Sequence, residues 1–316
     1  MHSTVSLRIP TGGSLRHACV RCKIDGLRPA VPFIVGFARS GTTLLRLMLD
    51  SHPELSIPPE THFLPEVASI AACRGLASDD FCSAIVGHQR WPDFCIDPLS
   101  FRSQLGLIDP FDVPAGIRCF YALYAAKFGK HRFGDKTPAY REHLRLIEDL
   151  LPEAHFIHVI RDGRDAALSN RTVWWRREGS PSVGEYAREW AESIVSVRRQ
   201  ASGVQKYLEI RYEDLVTRTR KVLFQVCDFL ELPFEDRMES FYLGAASRMS
   251  ELKDLYQNDG ALMAYRQERI QIHRLTSFPP DSSRVYSWRA QMTQQEIEEF
   301  KLHAGDLLTS LNYPDH

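Results

Sequence analysis

PFIVGFARSGTTLLRLMLDSHP, running from Pro32 to Pro53, opens on an apolar run, turns through small residues and closes as an apolar-faced helix. Phe33-Ile34-Val35-Gly36-Phe37 is almost continuously apolar, the pattern of a parallel strand covered on both faces. Leu44, Leu45, Leu47, Met48 and Leu49 give the following helix a broad apolar face, and His52-Pro53 stops it. A strand feeding a helix through a glycine turn is the opening of a βαβ unit. The turn itself, Gly36 through Thr43, has the two-glycine spacing of a loop whose backbone N–H groups and helix N-terminus face an anion.

A loop built for ATP or GTP carries Lys-Ser or Lys-Thr after its second glycine, so that the ammonium reaches the terminal phosphates and the hydroxyl holds magnesium. Here Thr42 stands where that lysine belongs, and the nearest cation is Arg39, inside the loop. The expected ligand is therefore a phosphate-bearing donor other than a nucleoside triphosphate.

The 316 residues suffice for a large α/β core, and 44% apolar with 25% charged residues is ordinary for a globular enzyme. A formal net charge of −1 argues against nucleic acid or an anionic membrane as partner, so any anion site must be local. No apolar run reaches the ~20 residues of a membrane span, and the N-terminus lacks the apolar stretch of a secretory signal. Seven scattered cysteines suit a reducing compartment, and cytoplasmic placement is expected. Cys19 and Cys22 form the one close pair and read as free thiols. Residues 1–30 read as a loosely held extension, basic at first and without the amphipathic period of a transit segment, and 31–316 as the catalytic domain.

Downstream, Ile57-Pro58-Pro59-Glu60-Thr61-His62-Phe63 is a stiff extended loop that presents Glu60. Residues 64–130 mix helical stretches with proline breaks and read as an inserted helical lobe for acceptor binding. In Gly134-Asp135-Lys136-Thr137-Pro138, Thr137 reads as an N-cap and Pro138 as the first helical residue, which puts Lys136 at a helix start. A cation at that positive helix end calls for an anion partner. A second strand, Phe156 to Ile160, ends in Arg161-Asp162-Gly163-Arg164-Asp165, where open α/β sheets gather their functional groups. Arg164 reads as pairing with Asp162, Asp165 or another carboxylate, and His158 as packed. Trp174-Trp175 reads as packing and Arg176-Arg177 as a solvated helix end. Tyr207 to Leu215 reads as a third strand running into a loop, and the tail as polar until Tyr286. Ser182 with Glu185, and Thr293 with Glu296, have capping-box spacing.

Taken in order, the GFARSGTTLLRLMLDSHP loop and helix, PETHF, GDKTP, HVIRDGRDAALS, RYEDL and YSWR resemble the PAPS-dependent sulfotransferases, in particular the bacterial branch related to the carbohydrate and tyrosylprotein enzymes. The resemblance runs from about residue 31 to the end. It implies a P-loop-like α/β fold, a central parallel sheet flanked by helices with a helical acceptor-binding insertion. It also implies transfer of a sulfuryl group from 3′-phosphoadenosine 5′-phosphosulfate to a hydroxyl, with no metal. Arg39, Ser40, Gly41, Thr42 and Thr43 match the family's 5′-phosphosulfate loop, and Arg161 and Ser169 its 3′-phosphate site. Tyr212 matches a residue lying against adenine, and Arg289, with Arg284 as a second candidate, a C-terminal segment closing over the donor. Glu60 matches the acid/base glutamate, and Lys136 with Arg39 the groups that stabilise the leaving oxygen. Where tyrosylprotein enzymes carry arginine, this chain has His62, which points away from a peptidyl-tyrosine acceptor and toward a sugar, lipid or small metabolite. Two alternatives remain at this level: a P-loop kinase using ATP, and a non-catalytic nucleotide-binding relative.

Overall fold

A computed structural model describes residues 28–74, 76–174, 181–257 and 259–315. The Cys19 and Cys22 pair, the Trp174-Trp175 side chains and Arg176-Arg177 lie outside what is described. In chain order come β1 (Val31–Gly36), α1 (Thr42–Asp50) and β2 (Leu55–Ser56), then the insertion α2 (Leu64–Arg74), α3 (Ser78–Gly87), α4 (Trp91–Phe94), α5 (Pro98–Leu105) and α6 (Val113–Ala126). Strands β3 (Arg132–Phe133) and β4 (Asp135–Lys136) lead through a 3₁₀ turn to α7 (Leu144–Leu150), β5 (Ala154–Ile160), α8 (Gly163–Trp174), α9 (Val183–Ala201) and β6 (Tyr207–Arg211). Helices α10 (Tyr212–Thr217), α11 (Thr219–Phe229) and α12 (Tyr242–Met249), a hairpin of β7 (Leu255–Tyr256) and β8 (Leu262–Ala264), and α13 (Arg266–Ile272), α14 (Trp288–Gln291) and α15 (Gln294–Ser310) complete it.

The central sheet is parallel in the order β4-β1-β5-β6. Its middle strands are covered on both faces, as their unbroken apolarity predicts. Ile34, Ile157 and Val159 point into one core with α1, α10, α11 and α12. Phe33, Val35 and Phe156 point into the other, against the insertion and α7. Gly36 ends β1 where a Cβ would stand 2.7 Å from the Val159 carbonyl oxygen, so only glycine lets the loop leave the sheet this close to β5. Because all four strands run the same way, their carboxyl ends bring the loop, Lys136, Arg161 and Tyr212 to one edge.

Two local expectations need correction. The third strand stops at Arg211, because its last partner is Ile160 and the ladder has no further rung; Tyr212 therefore opens α10. Thr137 does not cap a helix: its hydroxyl accepts instead from the buried Thr61 N–H at 2.9 Å, a donor that would otherwise be orphaned, and Pro138–Glu142 is a 3₁₀ turn ahead of α7. The stretch before Tyr286, read from the sequence only as polar, holds α12, the hairpin and α13. Both capping boxes are present at α9 and α15.

Candidate active site

The loop is held from below by an aromatic ring. Gly41 has φ +96, a left-handed conformation, and a Cβ there would lie 2.4 Å from Tyr212 Cδ2. Ser40 is buried, and among the described residues its Oγ has no hydrogen-bond partner. Arg39 is also left-handed, at φ +67, and its side chain turns back so that Nε donates to Ser169 Oγ at 3.1 Å and Nη2 to the Ile272 carbonyl at 3.4 Å. Arg161 donates Nη1 to the Arg39 carbonyl at 3.2 Å and Nη2 to the Arg284 carbonyl at 3.1 Å, while its guanidinium lies 4.2 Å over the Tyr212 ring.

Burial lowers the Arg39 guanidinium from its ordinary value; Tyr186 works against this, and the Arg161 and Arg284 charges add to the lowering. Among the described residues no carboxylate forms an ion pair with Arg39 or Arg161. Cations crowded together, an unpartnered Ser40 hydroxyl and an unpartnered Arg161 Nε are the donor set an oligophosphate requires.

Beside this pocket Lys136 Nζ lies 2.5 Å from Glu60 Oε1 and 3.2 Å from Thr43 Oγ1. The pair is brought together by its neighbours. Thr61 donates its hydroxyl to Asp135 Oδ2 at 2.7 Å and its N–H to Thr137, so residues 60–62 are stitched along β4. Tyr140 joins the stitch, its oxygen 2.7 Å from Thr61 Oγ1 and accepting from the Leu64 N–H at 3.1 Å. The other end of the loop is anchored to α1, where Asp50 Oδ1 accepts from the Ile57 N–H at 2.8 Å and Arg46 Nε donates to the Ile57 carbonyl at 3.0 Å. His62 takes a left-handed φ of +59 and sets Nε2 3.1 Å from Glu60 Oε2.

Burial alone would raise the Glu60 carboxyl, but Lys136, the hydrogen bond with His62 and the Arg90 charge hold it well below the usual carboxylate range. Burial lowers Lys136, and Glu60 opposes that shift. A carboxylate and an ammonium in contact beside the glycine loop can accept a proton and stabilise charge in one place.

A model described as the sulfotransferase family matches residues 32–236. The chain belongs to the sulfotransferase family. It is 26% identical over 209 residues to protein-tyrosine sulfotransferase 1 of Danio rerio, covering 65% of this chain and 54% of that one. It is 32% identical over 161 residues to the nodulation protein NoeE of Sinorhizobium fredii, covering 50% and 34%. The chain thus spans about half or less of the length of these curated relatives. Among solved structures, the sulfotransferase domain of the Curacin biosynthetic pathway aligns over 92% of this chain and 99% of its own, at 21% identity and a TM-score of 0.59. That of the Synechococcus PCC 7002 olefin synthase aligns over 92% and 98%, at 23% identity and 0.56. These two likenesses establish the sulfotransferase fold.

In this chain Arg39, Ser40, Gly41, Thr42, Thr43, Lys136, Glu60, Arg161, Ser169 and Tyr212 all meet at the one sheet edge. Arg39 and Ser169, assigned by resemblance to opposite ends of the donor, touch each other. Arg289 stands apart: it is exposed, with its guanidinium 5.2 Å from the Tyr286 ring and 5.7 Å from that of Trp288. The YSWR segment is tied down instead by Asp165, which accepts from the Tyr286 and Trp288 N–H groups and the Ser287 hydroxyl at 2.7 to 2.9 Å. Arg164 pairs with Asp162 at 2.8 Å, and buried His158 sits 2.7 Å from the Tyr207 hydroxyl oxygen.

The sequence reading missed three residues around the Glu60–Lys136 pair. Asp135, in the quoted GDKTP, positions the Glu60 loop. Burial pushes His273 down to about 3, Lys136 pushes in the same direction and Glu60 opposes, so this imidazole belongs to the same charge cluster. Arg90 acts on Glu60 from the insertion. Neither His273 nor Arg90 has a local signal; α13 is carried to the site by a 2.6 Å ion pair between Arg269 and Asp93.

Proposed function

We propose that this sulfotransferase moves a sulfuryl group from 3′-phosphoadenosine 5′-phosphosulfate to an acceptor hydroxyl by in-line displacement. The contact of Lys136 with both Glu60 and Thr43 carries the reading, because it sets a base and a cation against the anion loop. Glu60 takes the hydroxyl proton as the acceptor oxygen bonds to sulfur, a role worth about two to four powers of ten in rate. Lys136, with the loop N–H groups and the Thr42 and Thr43 hydroxyls, stabilises the bridging oxygen that leaves with the electron pair of the broken S–O bond. One lost donor of this kind costs on the order of 3 kcal/mol. Arg161 and Ser169 hold the 3′-phosphate, and Arg39, Ser40 and Gly41 the 5′-phosphosulfate end, where Arg39 joins Lys136 in stabilising the leaving oxygen. The bisphosphate is the chemistry that the unpartnered Ser40 and Arg161 atoms fit.

Helices α2 to α6 form the expected insertion and, in this reading, one wall of the acceptor pocket. Among the described residues no helix is long and apolar enough to cross a membrane. Donor labelled in its sulfuryl group, incubated with the protein and a metabolite extract, is expected to label an acceptor and release the bisphosphate. Calorimetry is expected to show bisphosphate binding and no ATP binding; ATP binding with magnesium and no bisphosphate binding would overturn the reading in favour of a kinase.

A further inference from the structure

Arg90 is a cation whose charge acts on Glu60 and whose own ion pair is loose. It follows α3, with its side chain 18% exposed, and its Nε is buried with no hydrogen-bond partner among the described residues. The carboxylate within reach, Asp93, is 3.9 Å from Arg90 Nη1 and is already taken. Arg269 grips Asp93 with both terminal nitrogens, at 2.9 and 2.6 Å, and the Lys253 N–H adds a third bond at 2.8 Å. A bidentate guanidinium plus an amide leaves little acceptor capacity for a second arginine. Glu60 is the largest charge acting on Arg90, yet the two are not in ion-pair contact, and Glu60 is committed to Lys136.

The surroundings of Arg90 reinforce the imbalance. Its own N–H donates to His88 Nδ1 at 3.2 Å, so the neutral His88 ring carries its proton on Nε2 and offers a donor. Burial, with His62 and Arg90 nearby, brings His88 down to about 4, which keeps it neutral. The ring packs edge-on against Phe63, three residues from Glu60. On the donor side the cations have a ligand in the proposed reaction, and Lys136 has Glu60. Arg90 is left with a desolvated guanidinium whose one ion-pair partner among the described residues, Asp93, is distant and shared, which calls for a closer anion from outside.

We propose that Arg90, helped by His88, is the acceptor's anion clamp: the substrate is a small hydroxyl compound that also carries a carboxylate or phosphate, which Arg90 holds while Glu60 faces the hydroxyl. The inference rests on the sulfuryl-transfer reading and names its acceptor class.

The test uses the full chain saturated with 3′-phosphoadenosine 5′-phosphate, so that the donor site cannot take the probe. Calorimetry then compares 3-hydroxybutyrate with 1,3-butanediol, and glycerol 3-phosphate with glycerol. At least one anionic probe is expected to bind about tenfold tighter than its neutral partner, the scale of one charge-assisted contact. Preference within the first pair assigns a carboxylate, within the second a phosphate. Arg90→Gln is expected to abolish the preference and Arg90→Lys to retain part of it, both binding bisphosphate within about twofold of the parent, which also reports that they fold. Equal binding of charged and neutral probes, no binding of either anion, or a preference that survives in Arg90→Gln overturns the inference. Failure of the bisphosphate itself to bind overturns the donor reading and this inference with it; bisphosphate binding without anion preference overturns this inference alone.

Discussion

Lys136 Nζ sits 2.5 Å from Glu60 Oε1 while also reaching Thr43, so one ammonium joins the acceptor side of the site to the donor loop. In the proposed reaction that contact must loosen: as charge grows on the leaving oxygen, Lys136 shifts its interaction toward it, and Glu60 becomes a stronger base. Glu60→Gln is expected to leave bisphosphate affinity within about twofold and to lower turnover by about two to four powers of ten. Retained turnover would take the base role from Glu60.

The same pair sets the pH response. Lys136, His62 and Arg90 overcome burial and hold Glu60 well below the usual carboxylate range. The acid limb of kcat/KM should therefore fall below pH ~4.3, the value of an unperturbed glutamate. A depressed folded-state value also means that ionised Glu60 contributes stability above that ordinary value and loses it as pH falls through the folded one. In Lys136→Met the chief opposing charge is gone and burial dominates, so the acid limb should move upward. A profile that stays put would show that Lys136 does not control the carboxylate.

Arg161 contacts two backbone carbonyls and the Tyr212 ring but no carboxylate among the described residues. Arg161→Ala is expected to weaken bisphosphate binding by about 1.5–3 kcal/mol, the worth of a charge-assisted hydrogen bond, with 3′-dephosphorylated product unaffected. Equal losses for the two ligands would place Arg161 elsewhere on the donor.

The strand, glycine turn and helix were legible because each is local: continuous apolarity, two glycines and an apolar helix face suffice. Glu60 and Lys136 were legible as residues through the ordered motifs, but their contact was not, since Thr61, Asp135 and Thr137 make it across more than 70 residues. Arg90 and His273 escaped for the same reason. Arg90 lies within an insertion of weak periodicity, and His273 follows α13, in a stretch whose polarity hid two helices and a hairpin. Where the third strand gives way near Tyr212 was not legible, because strand length is set by how far the neighbour extends and not by the apolar run.

Gly41 is required twice over, by its φ of +96 and by the Tyr212 ring. Gly41→Ala should destabilise the fold by about 1–3 kcal/mol and impair donor binding more than the melting point alone suggests. Adding Tyr212→Ala removes the clash and leaves the backbone strain, so the double variant should recover part of the stability relative to additivity. Strict additivity in thermal or denaturant unfolding would mean that ring and loop do not press on one another.

Thr61 tests whether the base is positioned by the stitch along β4. Its hydroxyl serves the buried Asp135 carboxylate, whose value burial raises against the bonds from Thr61, Thr137 and Tyr121. Thr61→Val keeps the volume and deletes one of these bonds, and the buried carboxylate, left with the Tyr121 and Thr137 bonds, loses on the order of 1–3 kcal/mol. Loss of the bond should also raise Asp135 further and let the Glu60 loop drift from Lys136. Turnover should then fall while bisphosphate affinity holds, because no loop ligand is touched. Thr61→Ser, which restores the hydroxyl without the methyl, should recover turnover more fully than stability. If Val and Ser behave alike in turnover, the stitch is structural and Glu60 finds Lys136 without it.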